Sequence, residues 1–154
     1  MRSVFLTLLV LTVAGLHAAA GDLTFEGTWK LNPQRSHFSH GELPKSLIIT
    51  IGAWNSNGIR YESKNLVGDK TGGITFTAKL DGADAPVAGT SSYDTVSVKR
   101  VDARTLHMEM KKSGKVVVDT TYRLAEDGKS LTREGIARKG PGEPNNFREW
   151  FDRQ

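Results

Sequence analysis

The chain has 154 residues, 21 basic and 17 acidic side chains, no cysteine and a formal charge of +4. Charges of both signs are interspersed, without the basic runs that favour nucleic acid or an anionic membrane. The absence of cysteine excludes disulfides, thiol redox chemistry and thiolate metal sites.

Residues 1–20 read as a leader. Arg2 gives a positive start, and positions 4–16 are apolar apart from Thr7, Thr12 and Gly15. Ala18-Ala19-Ala20 then offers small residues for cleavage before Gly21. The run is shorter than the roughly 20 apolar residues of a membrane span. We expect a signal peptide over 1–20 and one exported domain over 21–154, periplasmic or extracellular. Gly21 stands where a lipoprotein would need Cys, so no membrane anchor is expected after cleavage.

The exported part opens on a strand. Leu23, Phe25, Gly27, Trp29 and Leu31 share one parity, and Thr24, Glu26, Thr28 and Lys30 the other. Period-two alternation gives one dry face and one wet face. Asn32-Pro33 then suits the start of a single helical turn, since Asn caps well and Pro fits the first helical position. The rest of 32–45 is polar and long for a compact domain, so it is expected to act as a lid or plug at one end.

Alternation resumes around Leu47, Ile49 and Ile51, then Ile59 and Tyr61, then Ile74, Phe76, Ala78 and Leu80. It continues through Val96 and Val98, then Leu106, Met108 and Met110, then Val116, Val118, Thr120, Tyr122 and Leu124. Leu131 and the segment 147–152 complete the series. Turn signals separate these runs: 55–58, Asp81-Gly82, Ser113-Gly114 and Asp127-Gly128, with Gly72-Gly73 also read as a turn. No segment keeps a helical period. The pattern predicts an all-β domain of about eight to ten strands at the roughly 8–12-residue spacing of such folds. A two-sheet sandwich and an up-and-down barrel both satisfy it. Short turns between nearly all strands favour the single antiparallel barrel, which removes free edges.

Phe25-x-Gly27-Thr28-Trp29-Lys30-Leu31 resembles the first strand of the calycin superfamily, which comprises lipocalins, fatty-acid-binding proteins and avidin-like barrels. The resemblance implies that Trp29 closes one end of a barrel and that a basic residue of the last strand, Arg148 or Arg153, packs across it. Asn32-Pro33 through Ser36-x-Phe38 and the terminal Trp150-Phe151-Asp152-Arg153-Gln154 resemble exported bacterial lipocalin-like domains without a firmly assigned role. Fatty-acid-binding proteins hold the lipid carboxylate with an Arg two positions before a Tyr on the last strand. Here Glu149 stands two before Phe151, and Arg148 two before Trp150, so the chain departs from that head-group site.

The expected function is non-enzymatic binding of a small, mostly apolar molecule in the barrel interior. The candidate ligand contacts are Trp29, Tyr61, Phe76, Met108, Met110 and Tyr122, with Arg148 as an inward charge and Glu149 its alternative. Met is adaptable and suits varied apolar ligands, while Tyr hydroxyls orient them. The same side chains can instead fill a packed barrel. If they wall a cavity, Met108→Trp is expected to fill it and abolish uptake. The alternative function is an envelope interaction or structural module, with Trp54, Arg60 and Lys64 as its working surface.

Other chemistry has weaker signals. His37 and His40, with Glu42 nearby, lack a clear third metal ligand, and His107 falls on the outer face, so no metal or cofactor is expected. Asp119 and Glu134 sit on neighbouring strands, but parity turns Asp119 away from the Tyr122 face. No nucleophile elbow or phosphate loop is present.

Overall fold

The computed structural model describes residues 24–53, 56–138 and 142–154. The leader and Trp54 fall outside that range. Eleven strands follow one another among the described residues: β1 Gly27–Leu31, β2 His37–Phe38, β3 Ser46–Ala53, β4 Gly58–Val67, β5 Lys70–Lys79, β6 Asp81–Pro86, β7 Thr95–Asp102, β8 Thr105–Lys112, β9 Lys115–Leu124, β10 Ser130–Ala137 and β11 Asn145–Arg153. A 3₁₀ turn at Pro33–Arg35 follows β1 with Pro33 at its start, as expected, but the Asn32 side chain does not cap it and donates instead to Asp152 Oδ2 at 2.9 Å.

All pairings are antiparallel, and the strands run in the order β5-β4-β3-β1-β11-β10-β9-β8-β7-β6. Chain order and spatial order therefore agree around a ring: this is an up-and-down barrel, not a sandwich. The first and last strands meet through Trp29 opposite Arg153 and Leu31 opposite Phe151. That pairing is what bends a meander back on itself. Closure is incomplete at β5 and β6, where the bridge between Thr75 and Ala88 joins the edges.

The alternation read from sequence accounts for the core. Trp29, Ile49, Tyr61, Phe76, Val98, Met108, Met110, Val118, Tyr122 and Phe151 are all buried in one cluster. Their neighbours in sequence point out and pair across the surface, as Lys111 does with Asp84 at 2.7 Å and Arg148 with Glu134 at 2.8 Å.

The segment after β1 continues along the edge of β11. Asn32 N–H donates to the Trp150 carbonyl at 2.7 Å, and β2 places Phe38 opposite Phe147. Between them the 3₁₀ turn bulges outward. The Ser36 hydroxyl fills the gap, accepting from Trp150 N–H at 2.9 Å and donating to the Asn32 carbonyl at 2.8 Å. Half of the expected lid is thus an irregular edge strand.

Two turn readings change. Gly72 and Gly73 lie inside β5, opposite Asn65 and Lys64, and the chain reverses at Gly68-Asp69 instead. A Cβ on Gly73 would collide with the Ser63 carbonyl, so the glycines mark a close strand approach and not a reversal. Asp81-Gly82 does lie at a change of direction, with Gly82 at φ +88°, but it opens β6 without a hairpin ladder to β5.

Candidate functional site

The two ends of the barrel are built differently. At one end Trp29 is fully buried and donates its indole N–H to the Phe25 carbonyl at 2.9 Å. The Arg153 guanidinium lies 4.2 Å from the centre of its ring. Arg153 is held by three backbone carbonyls: Gly128 at 2.7 Å, Glu26 at 2.6 Å and Thr24 at 2.8 Å. Gly27 explains why a glycine precedes this tryptophan. Its φ is +141°, and a Cβ there would sit 2.6 Å from the pinned guanidinium. Of the two basic residues offered by the last strand, Arg153 packs across Trp29.

The other end holds a cavity of about 480 Å³, within the usual roughly 300–1,000 Å³ of ligand pockets. Phe38, Leu47, Ile74, Met110, Val118 and Phe147 supply its apolar wall. Its polar lining includes Tyr61, Arg133 and Glu149, with Glu42 and Glu143 at the exposed mouth. The 32–45 segment contributes Phe38, Glu42 and Pro44, and Phe38 packs at a tilt on Phe147, ring centres 5.9 Å apart.

Arg133 and Glu149 are cross-strand partners on β10 and β11, and both turn inward. Arg133 donates from Nη1 to Glu149 Oε2 at 2.9 Å, and Glu149 is only 2% exposed. The guanidinium also lies 4.9 Å from the Phe147 ring centre and 5.8 Å from that of Tyr122. Its Nε is buried without a hydrogen-bond partner among the described residues. Behind the pair, the Tyr61 and Tyr122 hydroxyls share a hydrogen bond at 3.2 Å.

Electrostatics follow from burial. Desolvation raises the Glu149 carboxyl above its ordinary 4.5, outweighing the downward pull of the Arg133 charge and hydrogen bond. Burial opposes the Arg133 charge, yet Glu149 and the tyrosines more than restore it. Burial, reinforced by Tyr122, lifts Tyr61 well above 10, so both hydroxyls stay neutral hydrogen-bonding groups. The interior offers a compensated ion pair and a neutral hydroxyl pair beside an apolar wall.

Of the residues expected from sequence to contact a ligand, Tyr61 and Met110 line this cavity. Trp29 closes the opposite end. Met108 is packed in the core beyond the cavity wall, so Met108→Trp would overpack the core instead of plugging the site. Phe76 stacks behind Tyr61 with ring centres 4.7 Å apart, and Tyr122 reaches the site through the Tyr61 hydroxyl. Arg148 is on the outer face, its side chain 61% exposed and paired with Glu134. Glu149 is the inward member of the two, because it shares parity with buried Phe147 and Phe151. Arg133 went unread in the sequence, although Leu131 on the same strand gives the parity that turns it inward.

The outer face carries the remaining candidates. His37 and His40 are exposed, and Glu42 faces the cavity mouth. Among the described residues, His107, Glu109 and Asp119 bring their donor atoms within 4.8 Å of one another and could hold a metal ion. Each already has a protein partner: His107 Nε2 bonds Asp119 at 2.8 Å, and Glu109 accepts from Ser97 at 3.3 Å. Glu134 is engaged by Arg148 at 2.8 Å and Arg123 at 3.6 Å. Asp119 and Glu134 therefore belong to separate surface ion pairs.

No family model matches the chain, and no curated protein matches it.

Proposed function

We propose that this chain is an exported, calycin-like, non-enzymatic binding protein that holds one small amphiphile in the open end of its barrel. The leader reading of residues 1–20 supports export. The Gly27–Trp29–Arg153 closure supports the calycin assignment. The cavity over the Arg133–Glu149 pair carries the functional reading. Small barrels usually fill their interior with side chains, yet here a ligand-sized space persists beside buried polar groups. Tail burial against Leu47, Ile74, Met110 and Val118 supplies affinity at roughly 25 cal/mol per Å². The polar lining orients the head.

The test is uptake of the neutral fluorescent probe N-phenyl-1-naphthylamine. The wild type is expected to bind it saturably at one site. Ala137→Trp, at the half-buried cavity wall, is expected to abolish that signal with thermal unfolding nearly unchanged. Equal uptake by both proteins, or none by either, would contradict the reading.

A further inference from the structure

The charge of the cavity carries the binding reading a step further, to ligand class. Among the described lining residues the charged groups are one guanidinium, Arg133, and three carboxylates, Glu42, Glu143 and Glu149. The single cation is engaged through Nη1, which donates to Glu149 at 2.9 Å, while its Nε has no hydrogen-bond partner among the described residues. We infer that the site selects amphiphiles with a cationic or neutral head, organic ammonium ions in particular, and rejects fatty carboxylates.

Five features of the geometry support this. A carboxylate ligand would have to approach Arg133 beside Glu149, since the two are direct cross-strand neighbours. It would either displace Glu149 into an apolar surround or leave two carboxylates on one guanidinium. Both are unfavourable where solvent is excluded. An ammonium head meets the opposite situation. Glu149 is an acceptor whose remaining capacity exceeds its one bond to Arg133, because an ionised carboxylate accepts through both oxygens. At the mouth, Glu42 and Glu143 are exposed and add a field of the same sign along the entry route. Aromatic faces help as well: Phe38, Tyr93 and Phe147 line the cavity, and such rings attract organic cations. The neutral hydroxyl pair of Tyr61 and Tyr122 brings no compensating positive charge.

This inference rests on the binding reading, and one experiment separates the two. Dodecylammonium, dodecanol and dodecanoate share a tail and differ in head charge. Each is titrated, below its micelle concentration and at low salt, against bound N-phenyl-1-naphthylamine. We expect the ammonium to displace the probe at a concentration roughly tenfold lower than the carboxylate, with the alcohol between them. The exposed mouth residues offer a variant that leaves the buried pair intact. In Glu42→Lys/Glu143→Lys the ammonium preference is expected to fall several-fold, and added salt should narrow it in the wild type. Displacement by dodecanoate at an equal or lower concentration than the ammonium overturns the inference and leaves the binding reading standing. Failure of the wild type to take up the probe overturns both.

Discussion

The Trp29 end and the cavity end of this barrel contain similar chemistry put to opposite uses. Each has an arginine against aromatic rings. At the closed end Arg153 donates to three backbone carbonyls, one from each guanidinium nitrogen, and lies over a buried indole. At the open end Arg133 meets a single carboxylate, keeps an unpartnered Nε and faces empty space. The contrast teaches that a half-buried cation contributes to stability when backbone acceptors surround it. When it is paired only with another buried charge beside a cavity, it is better understood as part of a site. A buried ion pair is weak evidence for stability, because desolvation offsets much of the attraction.

That comparison can be broken at either end. The largest effect is expected from Trp29→Ala, which removes the central side chain of the closed end and should destabilise the fold by about 3–5 kcal/mol in urea unfolding. A loss below 1 kcal/mol would mean the closure is decorative. Removing half of the open-end pair, by Glu149→Ala, should cost about 3–5 kcal/mol because it strands a buried guanidinium. Replacing both members with Arg133→Met/Glu149→Leu is expected to be neutral or stabilising, by up to about 4 kcal/mol, while reducing discrimination between head groups to what the mouth carboxylates supply. If the double variant is as unstable as the single one, the pair is structural and the contrast between the two ends disappears.

Smaller effects sharpen the picture. Gly27→Ala should cost about 1–3 kcal/mol through its φ of +141° and the pinned Arg153 beside it. The pH response of the open end has a defined sign. Since the Glu149 carboxyl is raised above 4.5, the folded state holds its proton more tightly than the unfolded state. Its stabilising contribution is complete below that value and is lost as pH rises through the folded pKa. Stability of the wild type relative to Glu149→Gln should therefore decline as pH climbs from about 4.5. A difference that stays flat or grows would reverse the assignment of desolvation as the dominant cause. Arg148→Ala, on the outer face, is expected to change stability by less than about 1 kcal/mol and to leave ligand selectivity untouched.

The barrel was legible because every strand with one apolar face declares its orientation by parity. Trp29, Ile49, Tyr61, Met108 and Tyr122 all turn inward as that rule demands. The site was harder to see for the same reason. Arg133 occupies an inward position but is charged, and a reading that equates the inward face with apolar residues passes over it, while Glu149 stands only as the alternative to Arg148. Leu131 and Phe151, opposite each other in the ladder, would have fixed the register and placed both charges inside. Cavity and packed core cannot be distinguished by parity at all. Met108 and Met110 face the same interior, yet only Met110 lines the cavity, because the closed end fills the barrel part-way along its axis. The glycine pair at 72–73 misled differently. A glycine that permits a turn and one that permits close strand approach look identical in sequence, and only the Ser63 carbonyl opposite Gly73 tells them apart.

The central claim is that the open end holds a small molecule. Native mass spectrometry of the protein, gently purified from the cells that produce it, tests that claim most directly. The account predicts a population carrying one adduct of a few hundred daltons, lost in Ala137→Trp and retained in Arg148→Ala. Wild-type protein that is bare under the same conditions, and remains so after incubation with amphiphiles of every head charge, would contradict it.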